Sequence, residues 1–205
     1  MSETKGLMTQ GAIWKKILLF SLPLLLGNVF QQLYNTVDSV IVGNYVGGDA
    51  LAAVGTSGPI INLLVGLFMG IATGAGVVIA RYFGAQDSEG VHDAVHTTLA
   101  ATFIGGLFLT VVGVLLSPTV VRLIGVPENI MADSISYLRI YFGGIIAMMT
   151  YNMGAGILRA VGDSKTPLYF LIISSIVNII LDMVFVIVLD MGVAGVAWAT
   201  LIAQA

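Results

Sequence analysis

"KILLFSLPLLLGNVFQQLYNTVDSVIVG" (residues 16–43) decides what kind of protein this is. A membrane-crossing helix takes about 20 mostly apolar residues, and this run exceeds that. Past Lys16 its one charged residue is Asp38. A charged carboxylate in hydrocarbon costs about 2.5–3.5 kcal/mol on an insertion scale. The run therefore reads as a transmembrane helix, and Asp38 needs a reason to be in it.

The rest of the chain extends that reading. Of 205 residues, 58% are hydrophobic and only 9% are charged, where soluble domains carry about 25%. The expectation is an all-α integral membrane protein. The formal net charge is −3, and no long basic run is present, which argues against nucleic acid as a partner. With no cysteine, disulfides, thiol catalysis and thiolate metal sites are excluded. Lys15 and Lys16 ahead of "ILLFSLPLLLG" resemble a signal peptide, but the apolar stretch runs on past signal length and meets no small-residue cleavage site. A retained first span is expected.

Apolar runs predict spans at about 16–43, 54–80, 96–117, 135–158 and 167–189, and a sixth from 192. The sixth is still apolar at "VAWATLIAQA", so the expectation is a truncated sixth helix in a piece of a longer protein. Links are read at "GNYVGGDALAAVG", "RYFGAQDSEGVHDAVH", "SPTVVRLIGVPENIMADS", "RAVGDSKTP" and "LDMG". Lys5, Lys15, Lys16, Arg81, Arg159 and Lys165 then share one side of the membrane, Arg122 takes the other, and Arg139 lies within span four. By the positive-inside rule the N-terminus is cytoplasmic. "RYFGAQD" and "RAVGDSK" share Arg-x-x-Gly, read as a basic helix end capped by glycine ahead of true duplication. Gly66, Gly70 and Gly74 form a stripe expected to pack against another helix. Pro23 is expected to bend or break the first helix.

Polar residues recur at helical spacing. Asn28, Gln31, Gln32, Asn35 and Ser39 share a face, with Asp38 at its edge. Buried amides need protein or water partners, and a stripe about three turns long points to a water-lined cavity more than to helix–helix glue. Ser174, Asn178 and Asp182 repeat every fourth residue in span five, while Asp190 sits at that span's end, where a solvated carboxylate is ordinary. Neither Asp38 nor Asp182 has a cation within its own span. Two such carboxylates side by side would hold a shared proton or a small cation, and Asn178 and Thr200 add neutral oxygens that suit a hard ion such as sodium.

Other chemistries are weaker. An intramembrane aspartyl protease needs Tyr-Asp and Gly-x-Gly-Asp, but Asp38 follows Val37 and Asp182 follows Leu181. His92 and His96 have zinc-compatible spacing with no third ligand; an amphipathic lead-in to span three explains them. No phosphate loop, nucleophile elbow or dinucleotide fingerprint is present, so ATP-driven transport gets no support within this chain. Tyr34, Tyr137, Tyr141 and Tyr151 offer faces to a cationic ligand, although interfacial anchoring explains most membrane tyrosines.

"PLLLGNVFQQLYNTVDSVIVG", "DALAAVG", "GIATGAGVVIARYFGAQD", "LRAVGDSKTP", "NIILD" and "GVAGVAWATLIAQ", in this order, resemble the multidrug and toxic compound extrusion (MATE) family from about residue 10 onward. The resemblance implies a twelve-helix antiporter of two six-helix lobes around a central cavity, with this chain as the N-terminal lobe. It implies coupling carboxylates at Asp38 and Asp182, completed by Asn178 and Thr200, and a helix-bending proline at Pro23. The expected substrate cavity takes in Gln31, Tyr34, Asn35, Asn152 and Met153. The implied activity, which is not enzymatic, is export of amphipathic or cationic organic compounds across the plasma (inner) membrane in exchange for sodium or protons, with no cofactor beyond the coupling ion. Partners implied are small organic substrates, membrane lipid and the missing C-terminal lobe, without which the isolated chain is expected not to transport. Alternatives are a lipid-linked precursor flippase of the same superfamily, disfavoured because the polar stripes carry no basic residue, and the protease already weighed.

Overall fold

The computed structural model describes residues 12–205; Lys5 lies outside them. The described chain is helical almost throughout. α1 spans Ile13–Ile41 and runs on as a π-helical turn, Val42–Val46. α2 (Gly48–Gly84), α3 (Ser88–Leu123), α4 (Glu128–Gly143) and α5 (Ile145–Ala160) follow. α6 (Lys165–Asp182) continues into a second π-helical turn, Met183–Val188, and α7 covers Gly192–Gln204. Four helical segments are long and apolar enough to cross a membrane, and α4 with α5 makes a fifth if the bent pair is one span.

The helices outrun the apolar spans, and the links shrink to tight turns. Gly47, at φ +118°, alone separates the first π turn from α2, and only glycine takes that conformation freely. Much of the stretch read as a link after span two is the start of α3, capped by Asp87, whose carboxylate accepts from Gly90 N–H at 2.9 Å. The two Arg-x-x-Gly endings differ. After α2 the left-handed residue is Gln86, with Gly84 still helical, whereas after α5 it is Gly162. Pro118 lies inside α3.

Two expectations fail. The break expected at Pro23 is absent, since α1 is a single helix through it. The break falls instead in span four, where α4 and α5 meet at 51° beside the Gly143–Gly144 pair, a common site of helix kinks. Gly144 also faces Leu201 of α7 so closely that a Cβ there would collide with it. Among the described residues the Gly66, Gly70 and Gly74 stripe packs on nothing: a Cβ at any of them would meet none of their atoms within 4 Å. Close packing in lipid rests on small residues because tails are as apolar as leucine, but here the glycines that serve it are Gly106, under Ile146 and Met149, and Gly113, under the Phe142 ring.

α1 packs on α6 and on no other long helix to a comparable extent, while α2 to α5 pack on one another. One apolar cluster joins α2, α3, α4 and α5 through Phe68, Val121, Leu138, Phe142 and Ile145. A second joins the two π turns, α2, α4 and α7 through Val42, Ala50, Tyr137, Val186 and Val196. Outside these, leucines such as Leu19, Leu63 and Leu115 stand largely exposed, an apolar exterior that lipid tolerates and water does not.

Candidate functional site

Between α1, α2, α4, α5, α6 and α7 lies a cavity of about 460 Å³. Its α1 wall is Asn28, Gln31, Tyr34, Asn35 and Asp38, a stripe at helical spacing with Asp38 on it rather than at its edge. Gln32 and Ser39 fall off this wall: the Gln32 carbonyl accepts from Thr36, and Ser39 donates to the Asn35 carbonyl.

Asp38 and Asp182 meet. Their carboxyl groups are within hydrogen-bonding reach of each other, a bond that exists only when one holds a proton. Asp38 lines the cavity, and Asp182 is fully buried behind it. No donor from the other described residues reaches Asp38 Oδ1 or either Asp182 oxygen, and both amide atoms of Asn178, one turn earlier on α6, are likewise unbonded. Buried polar atoms without partners are costly, so their concentration here fits a small hard cation, or a proton shared by the carboxyls. Asn178 and Thr200 line a small side pocket with Tyr34, and Thr200 also lines the main cavity. The Tyr34 hydroxyl lies between Gln31 and Gln204, accepting from the latter at 3.4 Å.

Of the expected cavity residues, Gln31, Tyr34, Asn35 and Asn152 line it. Met153 does not: it is 3% exposed and absent from the wall, and Met148 stands there instead. α5 presents Met148, Asn152, Ala155 and Arg159 to the cavity, and Met153, one residue on from Asn152, is turned by about 100°. Tyr137, Tyr141 and Tyr151 line the same cavity as Tyr34, so the four tyrosines are cavity walls rather than interfacial anchors. The polar stripes of α1 and α6 carry no basic residue, but α5 adds one to the cavity wall, Arg159. Its signal was present in the sequence: Arg159 is seven residues from Asn152, hence on the same helical face. His92 and His96 stack at 4.0 Å near the start of α3, and among the described residues no His, Cys, Asp or Glu group has the three members a metal site needs.

The chain spans less than half the length of the relatives it matches. It is 38% identical over 195 residues to a probable multidrug resistance protein, YoeA, of Bacillus subtilis, covering 93% of this chain and 42% of that protein. It superposes on a MOP superfamily transporter from Pyrococcus furiosus, described as having a binding pocket of reversed polarity, with a TM-score of 0.92 and 32% identity, over 100% of this chain and 45% of that one. A crystal structure of MATE in the bent conformation gives a TM-score of 0.88 and 32% identity, over 95% and 43%. The MatE family model matches residues 23–184, from the proline of α1 to just past the buried carboxylate of α6, and the chain belongs to that family of membrane transporters.

Proposed function

We propose that the chain is one lobe of a secondary antiporter that exports amphipathic organic compounds in exchange for sodium or protons, with a second lobe completing the path. The observation that carries this is the meeting of Asp38 and Asp182, one carboxyl on the cavity wall and the other directly behind it. Asp38 and Asp182 bind the coupling ion, with Asn178 and Thr200 supplying neutral oxygens from α6 and α7. Gln31, Tyr34, Asn35 and Asn152 contact the exported compound, and the four tyrosines give it aromatic faces. Alternating access in such proteins is largely rocking of two halves around a fixed site, and one lobe cannot rock against itself. Pro23 serves as the flexible point of α1, because it leaves one backbone carbonyl without its helical partner. Exchange requires ion and compound to favour different shapes of the lobe, since a ligand shifts an equilibrium only by its differential affinity. The side bearing Lys15, Lys16, Arg81 and Lys165 is the cytoplasmic side. A flippase for diphosphate lipids would call for several basic residues, and the wall carries one.

The deciding experiment is efflux from vesicles under an imposed sodium or proton gradient, with the intact protein and Asp38→Asn. Asn keeps the shape and removes the titratable charge. Loss of gradient-driven efflux with normal insertion supports the coupling role; efflux at the wild-type rate refutes it.

A further inference from the structure

Two residues of the cavity wall carry charge, Asp38 and Arg159. They do not pair. Arg159 lies near the end of α5, and Asp38 meets Asp182 at the far end of α6. From Ser164, in the turn that follows α5 and on the same cavity wall as Arg159, to Asp182 is about 27 Å along the helix at 1.5 Å per residue. Through a watery cavity that is several Debye lengths at physiological salt, about 8 Å each. We propose that this end of the cavity is an oxyanion subsite, where Arg159 and Ser164 take a carboxylate or phosphate group on an amphipathic substrate whose body lies along the tyrosine wall. The proposal rests on the export reading above and adds the substrate class.

Three observations converge on it. Arg159 is half-buried and makes no ion pair among the described residues, although a guanidinium withdrawn from water calls for a planar, two-oxygen acceptor. The Tyr151 hydroxyl, on the same wall, donates to the Pro167 carbonyl at 3.4 Å and supplies no negative charge. Ser164 stands at the start of α6, where serine commonly caps, yet it does not cap. Asp163 accepts from the Lys165 and Thr166 N–H groups, both at 3.0 Å, and from the Thr166 hydroxyl at 2.6 Å. Among the described residues the Ser164 hydroxyl has no hydrogen-bond partner in the cavity wall, on a residue 4% exposed. A basic residue that merely reached the membrane surface would be exposed, as Arg81 and Lys165 are on the same side; Arg159 turns inward.

The test uses two fluorescent probes with one aromatic body: a xanthene dye bearing a free carboxylate, and its methyl ester. Binding to the intact protein is read by polarisation in lipid-free detergent and in phospholipid nanodiscs. In detergent, inorganic phosphate displaces the carboxylate dye and not the ester. Arg159→Gln weakens the carboxylate dye by about tenfold or more, as expected for loss of a charged hydrogen bond, and leaves the ester within about twofold. Ser164→Ala has a smaller effect of the same selectivity. Arg159→Lys, which keeps charge and loses the fork, falls between, and carries the test if Arg159→Gln does not fold. Selectivity kept in nanodiscs identifies the group on the exported compound. Selectivity seen in detergent and lost in nanodiscs identifies a lipid headgroup as the occupant of the same subsite. The subsite is overturned if both dyes weaken together, if neither does, or if wild type binds no carboxylate dye. Should gradients drive no efflux while the dyes still separate, the export reading fails and the subsite stands. Should efflux be driven and the dyes not separate, the reverse holds.

Discussion

Asp38 of α1 and Asp182 of α6 hold their carboxyl groups within hydrogen-bonding reach of each other, although 143 residues of chain lie between them. Neither is neutralised by an arginine or lysine within 4 Å among the described residues. On the coupling role proposed above, the pair is balanced by the ion or proton it binds and acts as a unit.

Asp38→Asn and Asp182→Asn are expected to be non-additive. A ligand held by the folded protein alone stabilises it by about 2.7 kcal/mol at roughly 100 times its Kd. In thermal unfolding with and without sodium, and across pH, each single variant should lose nearly the whole ligand-dependent shift, and the double variant no more. If each single variant keeps about half, the two carboxylates bind independently.

Gly113→Ala should destabilise by about 1–3 kcal/mol, the usual cost of overpacking, because the new methyl meets the Phe142 ring. Gly70→Ala should be neutral or slightly stabilising in this chain, since its Cβ meets nothing and alanine favours helix. Unfolding in graded denaturing detergent checks both, and equal losses at the two sites would contradict the packing described.

Gly144→Ala should fail by a different partner, Leu201 of α7. Leu201→Ala makes room and should recover part of the loss in the double variant, a coupling of about 0.5–3 kcal/mol for residues in contact. Strict additivity would show that the bend at Gly144 does not depend on α7.

Asp163 gives a pH dependence outside the spans. Hydrogen bonds from the Thr166 side chain, then from the Thr166 and Lys165 backbone, hold its carboxyl below the usual carboxylate range. Its contribution to the start of α6 is thus complete above the unfolded carboxylate's range and is lost as pH falls through the lower folded value. The protection of the Lys165 and Thr166 amides, taken relative to the intrinsic exchange rate at each pH, should be high at neutral pH and fall in acid. Asp163→Ala should remove the protection at every pH, at about 1 kcal/mol for a lost cap. Protection that persists in the variant would assign the cap elsewhere.

A spectroscopic label pair spanning Pro23 in the intact protein should change its distance distribution with pH or sodium. The helix lacks one internal hydrogen bond there and bears Asp38, the carboxylate proposed to bind the coupling ion, about four turns further on. An unchanged distribution would make Pro23 a static feature of packing.

The long apolar helices were legible because a bilayer imposes length and apolarity together. The α1 stripe and the Asn178–Asp182 spacing were legible because helical periodicity needs no partner. What escaped reading depended on partners. The bend at Gly144 is made with Leu201, far away in sequence, and Gly66, Gly70 and Gly74 look like packing glycines until no helix faces them. Met153 was misplaced by one residue, a 100° error no composition argument detects. Arg159 was counted with the surface charges because it sits near a basic turn, while its register with Asn152 pointed inward.

The dependence of α1 on α6 also sets an order of assembly. Gly27 faces Leu168 and Leu171, which emerge from the ribosome roughly 140 residues later, or about 7–30 s at 5–20 residues per second. Until then α1 lacks the α6 face it packs on and Asp38 lacks Asp182. Leu168 and Leu171 are thus assembly residues as much as packing ones. Weakening them should appear first as chains cleared before completion, ahead of any defect in the finished protein.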